Sequence, residues 1–267
     1  MRGRRIPLSP FRRLISDLMR YAVTVPGVAT ERMMDLSSVI SARNAVPYRP
    51  AWAGIFAKAC ALTAQEYPEL RRTYVKWPWP HLYEYKTSVG TVTVNREHDG
   101  EPVVLPLLIP DPASLPIGTI TRMIDHYVQS PVTDIKPFRR AIAIGKLPGI
   151  LRRPIMWFAF NCARQRANNF GTFAVTSVSF KGTELLNILA PTTSVLTFGV
   201  FRPDGSTPVR MVFDHRVMDG MEFAAILARL EAIMNGPILD ELRREAATAA
   251  DASGRLRPVE ARRAYST

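Results

Sequence analysis

A chain of 267 residues, 47% hydrophobic and 22% charged, can bury a sizeable core as one large domain or two small ones. Its apolar runs, such as Ile155–Cys162, fall far short of the ~20 residues of a membrane span. The formal charge of +12 suits a polyanionic partner (nucleic acid, an anionic membrane surface or a polyanionic cofactor) or simply a solvated arginine-rich face.

The start, MRGRRIPLSPFRRLI, is basic and lacks an apolar stretch followed by a small-residue cleavage site, so no secretory leader is expected. Pro10–Tyr21 predicts an amphipathic helix, with Leu14, Ile15, Leu18 and Met19 opposite Arg12, Arg13 and Asp17. Val28–Asp35 reads as extended. Trp52–Tyr67 has the spacing of a buried helix (Ile55, Phe56, Cys60, Leu62) and turns at Pro68-Glu69-Leu70. Tyr83–Asn95 and Pro102–Ile109 read as strands joined into a hairpin by Glu97-His98-Asp99-Gly100. Pro116–Gln129 is a further helix.

Gly171–Val178, Thr193–Val200 and Val209–Phe213, rich in Thr, Val and Phe, read as strands. Met221–Asn235 is a periodic helix, expected to stop at Gly236-Pro237. Past Arg244 the apolar period fades, and residues 246–267 are expected to form a mobile basic tail. The mixture lacks regular βαβ alternation, which predicts a mixed-sheet α+β or layered α/β domain. Cys60 and Cys162 lie far apart and outside any C-x-x-C pair, so no zinc site or disulfide framework is expected, and a reducing cytoplasm fits. No zinc-finger, RRM-like or basic-zipper signature accompanies the arginines, so nucleic acid is not the expected partner.

The segment that carries chemistry is Phe213-Asp214-His215-Arg216-Val217-Met218-Asp219-Gly220, between a strand and a helix. A histidine exposed by such a turn, with a carboxylate four residues on, is a sensible general base. On its own, H-x-x-x-D is a weak signal that more often marks a purely structural turn. The whole string, however, closely resembles the signature of the acyltransferase component of 2-oxo acid dehydrogenase complexes (dihydrolipoamide acyltransferases). That family shares its fold with chloramphenicol acetyltransferases. Four further stretches resemble it in order along the chain: Arg5–Ile15, Lys58–Leu70, the hairpin of Val89–Val94 with Val103–Leu108, and Gly171–Ser177 against the family's G-T-F-T-I-S-N strand.

The resemblance implies a chloramphenicol acetyltransferase-like α/β (α+β) fold, a mixed β-sheet flanked by helices, and a homotrimer with its active site in a channel between subunits. It implies direct acyl transfer between coenzyme A and a thiol, hydroxyl or amine acceptor, without a metal and without an acyl-enzyme. His215 matches the catalytic base and Asp219 the acidic or amide position four residues on. Thr176 falls where the family carries a serine that stabilises the oxyanion, with Ser177 as the substitute. Asn95 is a weaker pocket candidate that reads more readily as a turn residue. Arg12 could pair with Asp219, or be an exposed arginine on a helix face.

Departures from the family shape the functional expectation. Residues 1–245 are expected to be the catalytic domain, with no lipoyl domain, lipoyl attachment site or subunit-binding domain, so the acceptor is a small molecule or a lipoyl group on another chain. The basic, polar end predicts an isolated trimer. Residues 141–169 read as an insertion, and Leu151, Ile155, Met156, Trp157, Phe158 and Phe160 beside Arg152, Arg153, Arg164 and Arg166 suggest a basic amphipathic element. Such an element at 150–166 suits peripheral membrane contact or a greasy acyl chain, or packs as an extra helix on the trimer. The alternatives are a core subunit of a 2-oxo acid dehydrogenase complex and a catalytically silent binding subunit.

Overall fold

The computed structural model describes residues 3–178 and 182–255. The chain runs α1 (Pro10–Ala22), β1 (Gly27–Asp35), α2 (Ser37–Ala45), α3 (Trp52–Glu66), β2 (Arg72–Val75), β3 (His81–Glu84), β4 (Val89–His98) and β5 (Glu101–Pro110). Helices α4 (Ile117–Gln129), α5 (Lys136–Lys146), α6 (Gly149–Asn161) and α7 (Ala163–Phe170) follow. Strands β6 (Phe173–Thr176), β7 (Ser194–Phe198) and β8 (Ser206–Asp214) then lead to α8 (Gly220–Ile233) and α9 (Leu239–Arg255).

Six strands pair in the order β1-β8-β7-β6-β4-β5. β4–β6 and β6–β7 are parallel and the other pairs antiparallel, so the sheet is mixed, as the sequence predicts. β7 is buried at every position, as befits a strand with both faces covered. The core lies between the sheet and α3 and α8. Phe56 of α3 stacks on Phe198 of β7 at 4.6 Å, and Phe213 of β8 stacks on Phe223 of α8 at 4.1 Å. The β4–β5 hairpin closes with His98 opposite Glu101, and Asp99 and Gly100 take φ of 52° and 71°. That left-handed pair matches the twist of a two-residue hairpin.

Three elements differ from the sequence reading. The span Tyr83–Asn95 is not one strand. His81–Glu84 pairs with Arg72–Val75 in a separate two-stranded sheet, and the chain breaks before β4 where Arg71 takes the carbonyls of Tyr85 (2.6 Å) and Lys86 (3.1 Å). Gly236-Pro237 does not end the helical run. A π-turn over Met234–Ile238 carries the chain into α9, its wider hydrogen-bond spacing tolerating a proline without an N–H. Residues 246–255 of the expected mobile tail therefore continue α9, and residues 256–267 lie outside the described residues.

The reason for α9 is visible in its first turns. Glu241 accepts the N–H of Ile117 at the start of α4 (2.7 Å) and the amine of buried Lys58, which also donates to the Leu115 carbonyl (2.8 Å). Leu242 is fully buried. One carboxylate thus caps α4 and neutralises a core lysine. Residues 141–169 fall mostly in helices, and one of their anchors is an ion pair between Arg152 of α6, mostly covered, and buried Asp17 of α1.

Candidate active site

β8 ends at Asp214, and residues 214–219 turn from it into α8. The turn is anchored at several atoms. The N–H of Asp214 donates to the Thr193 carbonyl (2.8 Å), and the N–H of His215 donates to the Pro26 carbonyl (3.1 Å). The carboxylate of Asp214 is buried, and it accepts from Nε and Nη2 of Arg216 at 2.9 and 2.7 Å and from the Arg216 N–H at 3.1 Å. That guanidinium lies 4.2 Å over the Tyr74 ring of β2. Arg166 of α7 donates to the Tyr74 carbonyl (3.1 Å) and the Pro191 carbonyl (2.7 Å), and burial pulls its guanidinium below the ordinary arginine value. The histidine therefore stands on a loop whose neighbours are fixed.

His215 itself is half exposed, at 51% of its side chain. Its Nδ1 lies 3.1 Å from the Met218 carbonyl oxygen. A carbonyl only accepts, so Nδ1 carries a proton and donates it, and in the neutral ring Nε2 holds the lone pair. Asp219 Oδ1 is 3.5 Å from the same Nδ1, longer than a hydrogen bond, and 85% of its side chain is exposed. Asp219 adds charge beside the ring, while the Met218 carbonyl sets its tautomer.

Thr176 ends β6, and its hydroxyl accepts a 2.6 Å hydrogen bond from Thr93 Oγ1 on β4. With a lone pair so occupied, the proton of Thr176 remains available for another acceptor. Ser177 donates instead to the Phe198 carbonyl (2.9 Å). Asn95 lies in the body of the hairpin opposite Val104, not in its turn. Two residues beyond Thr93, it shares that residue's face of the sheet and is exposed. Arg12 does not reach Asp219 within the chain: its Nε donates to Glu101 at 3.1 Å, because α1 starts beside the β4–β5 turn.

The register separates the two halves of this constellation. Thr176 pairs with Thr197, and Ser194 pairs with Phe213, so His215 lies five residues along the register and two strands across from Thr176. That is roughly 16 Å along and 10 Å across. Sequence reasoning missed Thr93, Tyr74, Asp214, Arg166 and Arg216 as supports. Only the D-x-R spacing around His215 hinted at the bidentate pair. A cavity of ≈ 40 Å³ lies behind the turn, lined by Gly27, Thr193, Val212 and Asp214. It is too small for a nucleotide-sized ligand. An open hollow of ≈ 310 Å³ edged by Ser37, Ser38, Ser41 and Arg243 lies at the other end of β1, away from this chemistry. Among the described residues no cluster of three His, Cys, Asp or Glu could hold a metal ion, and no helix is long and apolar enough to cross a membrane.

No protein-family model and no curated protein matches the sequence. Solved structures do match in three dimensions. The chain superposes on the cubic core of the pyruvate dehydrogenase multienzyme complex with a TM-score of 0.64 at 16% identity, covering 89% of this chain and 94% of that one. Against the Azotobacter vinelandii dihydrolipoamide acetyltransferase, an enzyme investigated for the roles of a serine, a histidine and an asparagine in its mechanism, the TM-score is 0.62 at 17% identity, with 89% and 94% covered. A chloramphenicol acetyltransferase gives 0.51 at 12% identity, with 83% and 94% covered. The fold is therefore that of the chloramphenicol acetyltransferase-like catalytic cores, a mixed sheet flanked by helices.

Proposed function

We propose that the chain is a coenzyme A-dependent acyltransferase in which His215 is the general base. The observation that carries this reading is the hydrogen bond from His215 Nδ1 to the Met218 carbonyl, which selects the neutral tautomer whose Nε2 lone pair is free on an exposed, braced turn. In the A. vinelandii enzyme with this fold, the histidine and asparagine investigated for catalytic roles are four residues apart, the spacing of His215 and Asp219 here.

In the reaction, Nε2 takes the proton of an acceptor thiol, hydroxyl or amine. The freed lone pair attacks the thioester carbonyl, and the Thr176 hydroxyl donates to the oxyanion of the tetrahedral intermediate. Collapse expels the coenzyme A thiolate, which recovers the proton from the imidazolium, giving acylated acceptor and free coenzyme A. The separation of His215 from Thr176 supports a homotrimer in which each site takes its histidine from one chain and its threonine from the next. It also accounts for the small size of the cavity behind His215. The basic surface suits the phosphates of coenzyme A. Two free thiols support residence in the cytoplasm.

The test is thiol release from acetyl-, longer-chain and branched acyl-coenzyme A with amine, hydroxyl and dihydrolipoamide acceptors. Wild type turns over at least one pair, and His215→Ala lowers kcat by roughly 10²–10⁴. Asp219→Ala costs less than about tenfold, since Met218 keeps the ring's tautomer. A chain that neither turns over nor binds any acyl-coenzyme A contradicts the assignment.

A further inference from the structure

Helices α5, α6 and α7 hold eight lysines and arginines, and no Asp or Glu occurs between Asp134 and Glu184. Two of the eight cations serve the fold, Arg152 with Asp17 and Arg166 with main-chain carbonyls. The other six (Lys136, Arg139, Arg140, Lys146, Arg153 and Arg164) are exposed. Two thirds of the chain's net charge of +12 thus resides on three consecutive helices.

α6 also has an apolar face it does not use. One side packs inward through Met156 and Phe160, whose ring stacks between Tyr21 and Phe170 at 4.3 Å from each. At 3.6 residues per turn, Ile150, Leu151, Pro154, Ile155, Trp157 and Phe158 fall within an arc of about 160° on the opposite side. The five large ones are 40–81% exposed. A helix already anchored by one apolar face gains nothing in the monomer from a second, and an exposed patch of this kind marks a contact surface.

We propose that this second face of α6 docks on an anionic lipid bilayer, lying flat at the interface with the six exposed cations against the headgroups. The charge decides the occupant. A second copy meeting this face with its own α5–α7 would set like charges against like. Nucleic acid would satisfy the cations but leave Ile150, Ile155 and Phe158 in water. An anionic bilayer takes both, with Trp157 suited to the headgroup level. At 13 residues, α6 is about 20 Å long and lies on the membrane rather than crossing it. The inference rests on this surface alone and is independent of the acyl-transfer assignment.

The experiment is flotation of the full chain with phosphatidylcholine vesicles, with and without phosphatidylglycerol, at low and high salt. Wild type floats with the anionic vesicles only, and high salt releases it. Arg139→Gln with Arg140→Gln weakens binding by roughly tenfold or more. Ile155→Glu with Phe158→Glu abolishes it at unchanged melting temperature and native mass, and Trp157→Ser, a milder change on the same face, weakens it. Wild type that ignores anionic vesicles, or face variants that bind like wild type, overturns the proposal. So does a fall in native mass in the Ile155→Glu, Phe158→Glu chain, which would make the face a contact between copies.

Discussion

His215 and Thr176 stand at opposite ends of one sheet. His215 follows β8 level with the start of β7, whereas Thr176 ends β6 opposite Thr197. Roughly 19 Å of backbone separates them, the resultant of five residues along and two strands across. If His215 is the base and Thr176 the oxyanion donor for one thioester, the two must come within hydrogen-bond reach of neighbouring atoms, and a single chain then supplies half a site at each end of the sheet.

The Thr93–Thr176 hydrogen bond makes the threonine pair testable on its own. Thr176→Val removes the hydroxyl while keeping the branched shape, and should lower kcat by about 10² or more with little change in KM. Thr93→Val should cost about tenfold, because it only positions the Thr176 hydroxyl. Steady-state kinetics with acyl-coenzyme A at fixed acceptor separates the two, and equal losses would make Thr93 a direct donor.

Asp214 and Arg216 brace the turn that carries His215. Arg216→Ala strands a buried carboxylate and should destabilise the chain by about 3 kcal/mol, read as a shift in the urea midpoint. Arg216→Lys should recover little of this, since an ammonium cannot make the bidentate contact or cover Tyr74. Full recovery by lysine would reduce the contact to simple charge.

The cysteines differ sharply in surroundings. Burial pushes the Cys60 thiol up to about 12, while Cys162 is only half-buried. Iodoacetamide at neutral pH should therefore label native protein at Cys162 alone. In the unfolded chain Cys60 loses its proton near pH 8.5, and in the folded chain it keeps it to about 12. The unfolded state then binds fewer protons, so this contribution to stability is whole below pH ~8.5 and falls as pH rises through that window. Cys60→Ala should flatten the alkaline fall in the denaturation midpoint.

Much of the sheet was legible because its signals are local. Asp99-Gly100 announced the hairpin, and alternation and β-branched residues announced β4, β5 and β6. What escaped depends on distant partners. α2 buries only Val39 and Ala42 and so carries almost no period. The break between β3 and β4 is made by Arg71 reaching two carbonyls far along the chain. Residues 246–255 of α9 are read as part of a mobile tail from their alanines and charges, yet they continue a helix that Glu241 ties to α3 and α4 and that buries Leu242. At the candidate site, His215 could be named from its octapeptide. The Met218 carbonyl that fixes its tautomer, and the β4 threonine beside Thr176, emerge only from the folded chain.

The most direct test of the split site is subunit complementation. His215→Ala and Thr176→Val chains, each crippled alone, are unfolded together, refolded as a mixture and assayed for coenzyme A release. If the histidine and threonine of one site come from neighbouring chains of a trimer, random mixing of equal amounts restores intact sites and returns about a quarter of wild-type activity. If the mixture instead stays at the level of the two variants measured separately, both groups act from the same chain and the split site is refuted.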